Sequence, residues 1–280
     1  MDRLIDLPAQ NLQDTVSLLY LSMASTVAET LPKDSDTIIR GIVRRFGNLL
    51  GEEEKKRTEE AGEQTNLATF FKHPKTRFYD PRLYVEAQRN NEQVALFNVI
   101  RCPFAFRART CQQEKVAKLF CEEFLSACLD GYTDHVTQTN LSEVLSEPRN
   151  THCRIACYYR PANMDEKEWS KHFSTYAEEE KAVEKIEPNG LQECSKVQAA
   201  YLLQAFEEAL STEILDKAAE NAGKILADFI IGRTISQSRN LDQAFLEENS
   251  AIMPTADGTE TSLACRVSRA LYENLKADMD

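Results

Sequence analysis

The sequence predicts an α+β fold, predominantly helical, in which helices cover a small antiparallel or mixed sheet and a C-terminal all-helical extension follows. Three observations predict it. Apolar residues recur at spacings of three and four through most of the 280 residues. Strand-like patterning is confined to the middle of the chain, in Val94 to Arg101 and His152 to Tyr159. From Glu166 onward every patterned segment returns to the helical period.

Pro8 precedes a helix over 10–31, with Leu12, Val16, Leu19, Met23 and Val27 as its stripe. Asp34-Ser35-Asp36 caps a second helix whose stripe is Ile38, Ile39, Ile42, Phe46, Leu49 and Leu50. Beyond Gly51, Glu52–Lys56 and Glu53–Arg57 are solvated pairs worth only ~0.3 kcal/mol each. Gly62 to Asn91, with Pro74 and Pro81, reads as a connecting loop. Its aromatics Phe70, Phe71, Phe78 and Tyr79 either pin it to the core or wall a pocket.

Val94 to Arg101 is apolar on both faces, which predicts a central strand covered by helices and stopped by Pro103. Thr110 to Leu129 returns to helix, closed by Gly131, with Ala117, Cys121, Phe124 and Cys128 in one stripe. A short strand near His135 precedes the firmer one over 152–159. There Cys153, Ile155 and Cys157 share one face and His152, Arg154, Ala156 and Tyr158 the other. Next comes a charged helix from Glu166 to Glu187, edged by Trp169, Phe173 and Tyr176, and then a turn at Pro188-Asn189-Gly190. Helices over 191–210 and 213–238 and an amphipathic one carrying Leu263, Val267, Leu271 and Leu275 complete the chain. The acidic stretch 240–261 reads as the longest loop, a lid or flap. The division is thus 1–165, with a cysteine-rich β/α segment over 92–161, and a helical extension over 166–280.

One internal echo stands out. Residues 37–51 align without gaps with residues 213–227, matching Gly47 to Gly223 and superposing the apolar positions. Small residues four apart, Gly47 and Gly51 against Gly223 and Ala227, let helices approach closely. Either two amphipathic helices coincide, or a helical module is partially repeated, its second copy an extra packing layer or a homo-oligomer surface.

A net charge of −12 and the lack of any basic run argue against nucleic acid or an anionic membrane as partner. The start, Met1-Asp2-Arg3-Leu4-Ile5-Asp6, has acids where a signal peptide needs basic residues, and runs such as Ile225 to Ile231 are too short to span a bilayer. The expected compartment is the cytoplasm, where eight cysteines are thiols, metal ligands or nucleophiles rather than a disulfide framework. No Cys-x-x-Cys, phosphate-binding loop, His-Glu-x-x-His, nucleophile elbow or dinucleotide fingerprint occurs.

Six of the eight cysteines fall within 97–161, where chemistry would sit. Hydrolytic chemistry there would need a nucleophile or activated water, a proton carrier and a donor for developing charge. Arg101 at the strand end could grip a carboxylate bidentately, or simply form a salt bridge. Cys102 and Cys153 could act as nucleophile and partner, as thiolates of a metal site completed by Cys121, or as small buried hydrophobes. His152 adjoins Cys153 but points to the opposite face of a regular strand. Glu122 and Glu123 are the carboxylates nearest Cys121. Cys111, Cys128, Cys157, Cys194 and Cys265 read as packing residues. His73, His135 and His172 have no evident partner, and Asp134-His135 is only a weak dyad signal.

The run Phe97-Asn98-Val99-Ile100-Arg101-Cys102-Pro103-Phe104, then Leu119-Phe120-Cys121, then Cys153 opening the last strand, resembles the L-2-amino-thiazoline-4-carboxylic acid hydrolase family over roughly residues 25–160. The apolar helix with Gly47 and Gly51 fits that resemblance. It implies an enzyme that hydrolyses a five-membered cyclic amidine bearing a carboxylate, opening the ring to an S-carbamoyl-cysteine-like product. Arg101, Phe97 and Phe124 would bind this small-molecule substrate. Cys102, Cys121, Cys153, His152 and Glu122 would carry the chemistry, with no cofactor unless thiolates hold a metal such as zinc. Phe124 stands where the family carries an aspartate. That departure motivates the alternative, a non-catalytic binding or sensing module on the same scaffold.

Overall fold

The computed structural model describes residues 7–72, 80, 82–147, 149–160, 164–173, 188–250 and 262–279. In chain order the elements are helices α1 (Leu7–Thr30), α2 (Ser35–Glu60) and α3 (Leu67–Lys72), strands β1 (Tyr84–Asn90) and β2 (Val94–Arg101), helices α4 (Pro103–Thr110) and α5 (Glu114–Tyr132), strands β3 (Thr137–Glu143) and β4 (Cys153–Tyr159), and helices α6 (Glu166–His172), α7 (Pro188–Ala209), α8 (Thr212–Ser236), α9 (Gln243–Ser250) and α10 (Leu263–Ala277). The fold is α+β and mostly helical, with one four-stranded antiparallel sheet in the order β1-β2-β4-β3.

Helix α1 is the axis of the helical layer. Every residue from Gln13 to Val27 is buried, although the sequence shows only one apolar stripe. The polar positions are tolerated because their hydroxyls bond back to the helix's own carbonyls. Thr15 Oγ1 donates to Asn11 O at 2.8 Å, Ser25 Oγ to Ser22 O at 2.9 Å, and Thr26 Oγ1 to Ser22 O at 3.0 Å. Asp14, also buried, accepts from Arg82 at 3.0 Å and from Arg107 at 2.5 Å, which compensates its lost hydration. Helices α8, α7 and α4 pack around α1.

Helices α2 and α5 make the most extensive helix–helix contact, and glycine is the reason. A Cβ added to Gly47 would stand 2.6 Å from the Ala127 Cβ, and one on Gly131 would stand 2.5 Å from the Asn48 carbonyl oxygen. At Gly51 it would collide with the carbonyl oxygen of Cys128. The two backbones therefore touch with no side chain between them. Gly131 does this from inside α5, so it is a packing residue rather than the expected helix terminator.

The sheet corrects several expectations. Residues 62–91 are not one loop, because α3 and β1 lie within them. Strand β1 forms a hairpin with β2 and is exposed for almost its whole length. Its polar composition hid it from the periodicity. Strand β2 is central but covered on one face only. Ala95 and Val99 are buried, while the side chains of the other face are partly exposed. Pro103 does end β2, and it also starts α4, since proline at the first helical turn loses no hydrogen bond. Pro188 likewise begins α7 where a turn was expected, and α9 occupies part of the stretch read as a loop. His73, Pro74, Phe78, Tyr79, Pro81, Tyr176 and residues 251–261 lie outside the described residues.

Replacing Gly51 by alanine should lower the free energy of unfolding by about 2–3 kcal/mol, the usual cost of overpacking a closed interface. The same change at Gly41, where nothing lies within 4 Å of the added methyl, should raise it by about 0.5–1 kcal/mol. Urea titrations of the two variants check both signs.

Candidate functional site

Alternation along β4 places Cys153, Ile155 and Cys157 beside their β2 partners Val99, Phe97 and Ala95, on the covered face of the sheet. The chain leaves β2 through Cys102, which is the N-cap of α4 in an extended conformation. Cys121 approaches from α5. All three cysteines meet in a small apolar cluster apart from the main core, built on Val99, Ala105, Val144, Leu145 and Cys153. They converge, as the sequence pattern implied. Among the described residues, no set of three His, Cys, Asp or Glu side chains is arranged to hold a metal ion.

A cleft of about 540 Å³ opens beside this cluster, between α5 and the covered face of β3 and β4. Cys121, Leu125, Leu141 and Ile155 give it apolar walls, while Ser126, Thr139, Asn140 and Ser142 add neutral polar groups. Charge is concentrated where Arg40 of α2 meets Glu122 and Glu123 of α5. Arg40 donates to Glu123 at 2.5 Å through one nitrogen and to Glu122 at 2.5 Å through the other, and Arg44 also binds Glu123 at 2.6 Å. Burial alone would raise the Glu123 carboxyl, but its bonds to Arg44 and Arg40 outweigh that and hold it below the usual carboxylate range.

The electrostatics of the thiols are uniform in direction. Burial pushes Cys121 far above the ordinary thiol range, and negative charge on Cys102, Cys153 or Glu122 would push it further. Ser146 is the hydroxyl that opposes this. Its buried Oγ has no hydrogen-bond partner of normal geometry and is free to turn toward the Cys121 sulfur. Burial pushes Cys153 up to about 11 against the Leu145 N–H, which donates to its sulfur at 3.1 Å. Burial also raises Cys102, opposed by the N–H groups of Ala105 and Phe104, although no regular capping bond forms. Neutral thiols packed among apolar groups are weak nucleophiles.

The remaining expected site residues divide clearly. Glu122 lines the cleft next to Cys121, and Phe97 lies one strand over as the register partner of Ile155, its ring edge-on to Phe71 at 4.9 Å. Phe124 is not in the cleft. It stacks between Phe46 at 5.3 Å and Phe120 at 4.6 Å, filling the α2–α5 seam. Arg101 is exposed at the end of β2, its guanidinium 5.4 Å from the Tyr84 ring centroid. His152 precedes β4 rather than opening it, and its Nε2 lies 3.2 Å from Glu143 and its Nδ1 3.2 Å from Thr151 Oγ1. Cys128, Cys157 and Cys194 are buried as expected, whereas Cys111 and Cys265 are partly exposed.

His172 and His135 are not partnerless, since His135 Nδ1 lies 4.0 Å from Asp130, and Asp134 pairs elsewhere than with His135. Buried His172 lies 2.7 Å through Nδ1 from the Thr65 carbonyl oxygen, and Asp134 binds Lys55 at 2.7 Å. The residues that sequence reasoning missed are Arg40, Leu141 and Ile155. Arg40 lies on the polar side of an amphipathic helix, where nothing local separates a cleft residue from a solvated one. No family model, curated protein or solved structure matches this chain.

The raised Cys153 thiol keeps its proton in the folded state above the pH at which the unfolded chain loses it. Its stabilising effect is therefore complete below pH ~9 and fades as pH rises to about 11, a loss of about 2–3 kcal/mol. Urea midpoints measured from pH 8 to 11.5 should show this fall, and Cys153→Ala should make it shallower, the raised Cys121 and Cys102 thiols carrying the remainder.

Proposed function

We propose that this protein binds a small polar molecule in the cleft between α5 and the β3–β4 face, with Cys121 as wall and Arg40, Glu122 and Glu123 as its charged end. The observation that supports this is the cleft itself, whose volume and mixed lining suit a ligand of metabolite size. Raised thiols, and a His152 ring engaged by Glu143 and Thr151, favour binding over nucleophilic catalysis. Eight free cysteines accord with a reducing, cytoplasmic setting.

A second reading is hydrolysis of a cyclic amidine, the activity implied by the family resemblance. The convergence of Cys102, Cys121 and Cys153 at one cluster favours it. In that reading Glu122, the cleft carboxylate adjacent to Cys121 in sequence, would accept the thiol proton, and Arg40 rather than Arg101 would be the guanidinium at the cleft.

The test is a metabolite-library screen by ligand-observed NMR on the intact protein and on Ser126→Trp, which fills the cleft. Binders that the wild type holds and Ser126→Trp loses by tenfold or more support the reading. Binders retained equally by both would overturn it. Turnover of a binder to product, abolished in Cys121→Ala, would replace it with the hydrolase reading.

A further inference from the structure

We infer that α7, α8 and α10 are a second, sheetless copy of the module α1–α2–α5, and that they serve as a built-in partner subunit covering α1 and α2. The evidence begins with register. With the constant offset of 176 residues set by the 37–51 and 213–227 echo, all nine buried residues of α8, from Leu215 to Thr234, fall on buried positions of α2, from Ile39 to Thr58. Chance alignment of two amphipathic helices does not require agreement along their full lengths, nor Thr58 to coincide with Thr234.

The neighbours agree as well. Gly47 of α2 presses on Ala127 of α5, and its counterpart Gly223 presses on Ala270 of α10, where an added Cβ would stand 2.5 Å from the Ala270 Cβ. Matching those alanines pairs Glu123 with Arg266. Arg40 binds Glu123, and the residue equivalent to Arg40 is Asp216, which binds Arg266 at 2.7 Å. The same ion pair thus occurs in both modules with its charges reversed. Across the modules, Arg45 of α2 reaches Glu208 of α7 at 2.6 Å, and the equivalent Asn221 of α8 reaches Ser22 O of α1 at 3.1 Å.

Most helix contacts within and between the two sets follow one exchange rule, the small α1–α2 contact alone lacking an equal between α7 and α8. Swapping α1 with α7, α2 with α8 and α5 with α10 turns the α1–α8 contact into α7–α2, α2–α5 into α8–α10, and α1–α5 into α7–α10, while α1–α7 maps onto itself. That is a pseudo-twofold axis, the arrangement by which two copies of one module pack against each other. Only the first module carries strands among the described residues. At the Cys121 and Glu122 positions α10 has Ala264 and Cys265. The first module therefore carries the cleft beside Cys121, and the second is a scaffold copy that braces the helix bearing Arg40.

Grafts in the full-length protein test this. One variant replaces 213–227 with the sequence of 37–51, a second replaces 263–275 with that of 120–132, and a third carries both. The 263–275 graft should lower the melting midpoint of the wild type yet raise that of the 213–227 variant by roughly 5 °C or more, because it restores that helix's own partner. Lowering in both backgrounds would overturn the inference. If the grafted helix prevents folding, Asp216→Arg, Arg266→Glu and their combination give the answer. Each single reversal should lower the midpoint and the pair should recover it, and failure to recover removes the equivalence with Arg40 and Glu123.

Discussion

Backbone contact between α2 and α5 is the constraint on which the rest depends. Three glycines, Gly47, Gly51 and Gly131, bring the helices so close that carbonyl oxygens and neighbouring backbone occupy the space side chains would fill. Dispersion and exclusion of water then act along the full seam, with the Phe46, Phe124 and Phe120 rings closing its edge. Fixing α5 against α2 also fixes where Cys121 and Glu122 stand relative to the sheet. Arg40 comes to Glu122 and Glu123 only because the helices are this near.

The sheet adds the other half of the cleft, and its one-sided burial explains the site's character. The face carrying Val99, Cys153 and Ile155 lies under α5 and the residues after β3, so sulfur atoms there lose hydration and stay protonated. Charge is held instead at the α2–α5 rim, where arginine and glutamate balance each other and remain partly solvated. On the proposed binding function, an apolar floor with a neutral polar wall and a charge-paired end would select ligands by shape and hydrogen bonding more than by net charge. That balance is why binding, rather than thiolate attack, is the function proposed.

Much of the fold was legible before any coordinates. The stripes of α2 and α10 and the places of β2 and β4 follow from periodicity, which records which side of an element is dry. Strand β1 was illegible because an exposed edge strand has no dry side to record. Within the site, the convergence of Cys102, Cys121 and Cys153 was readable from their pattern. Phe124 was misread because a core aromatic and a pocket aromatic look alike on one helix stripe.

The sequence by itself determined the element types, the acidic character, the glycines that permit close packing and the cysteines that cluster. Those properties are carried by single residues and their nearest neighbours along the chain. Only the tertiary structure decided that Arg40 rather than Arg101 reaches the cleft, that α1 is buried on all sides, and that the thiols are protonated. Each of these depends on which distant segment excludes water from a given side chain, and local spacing holds no record of that.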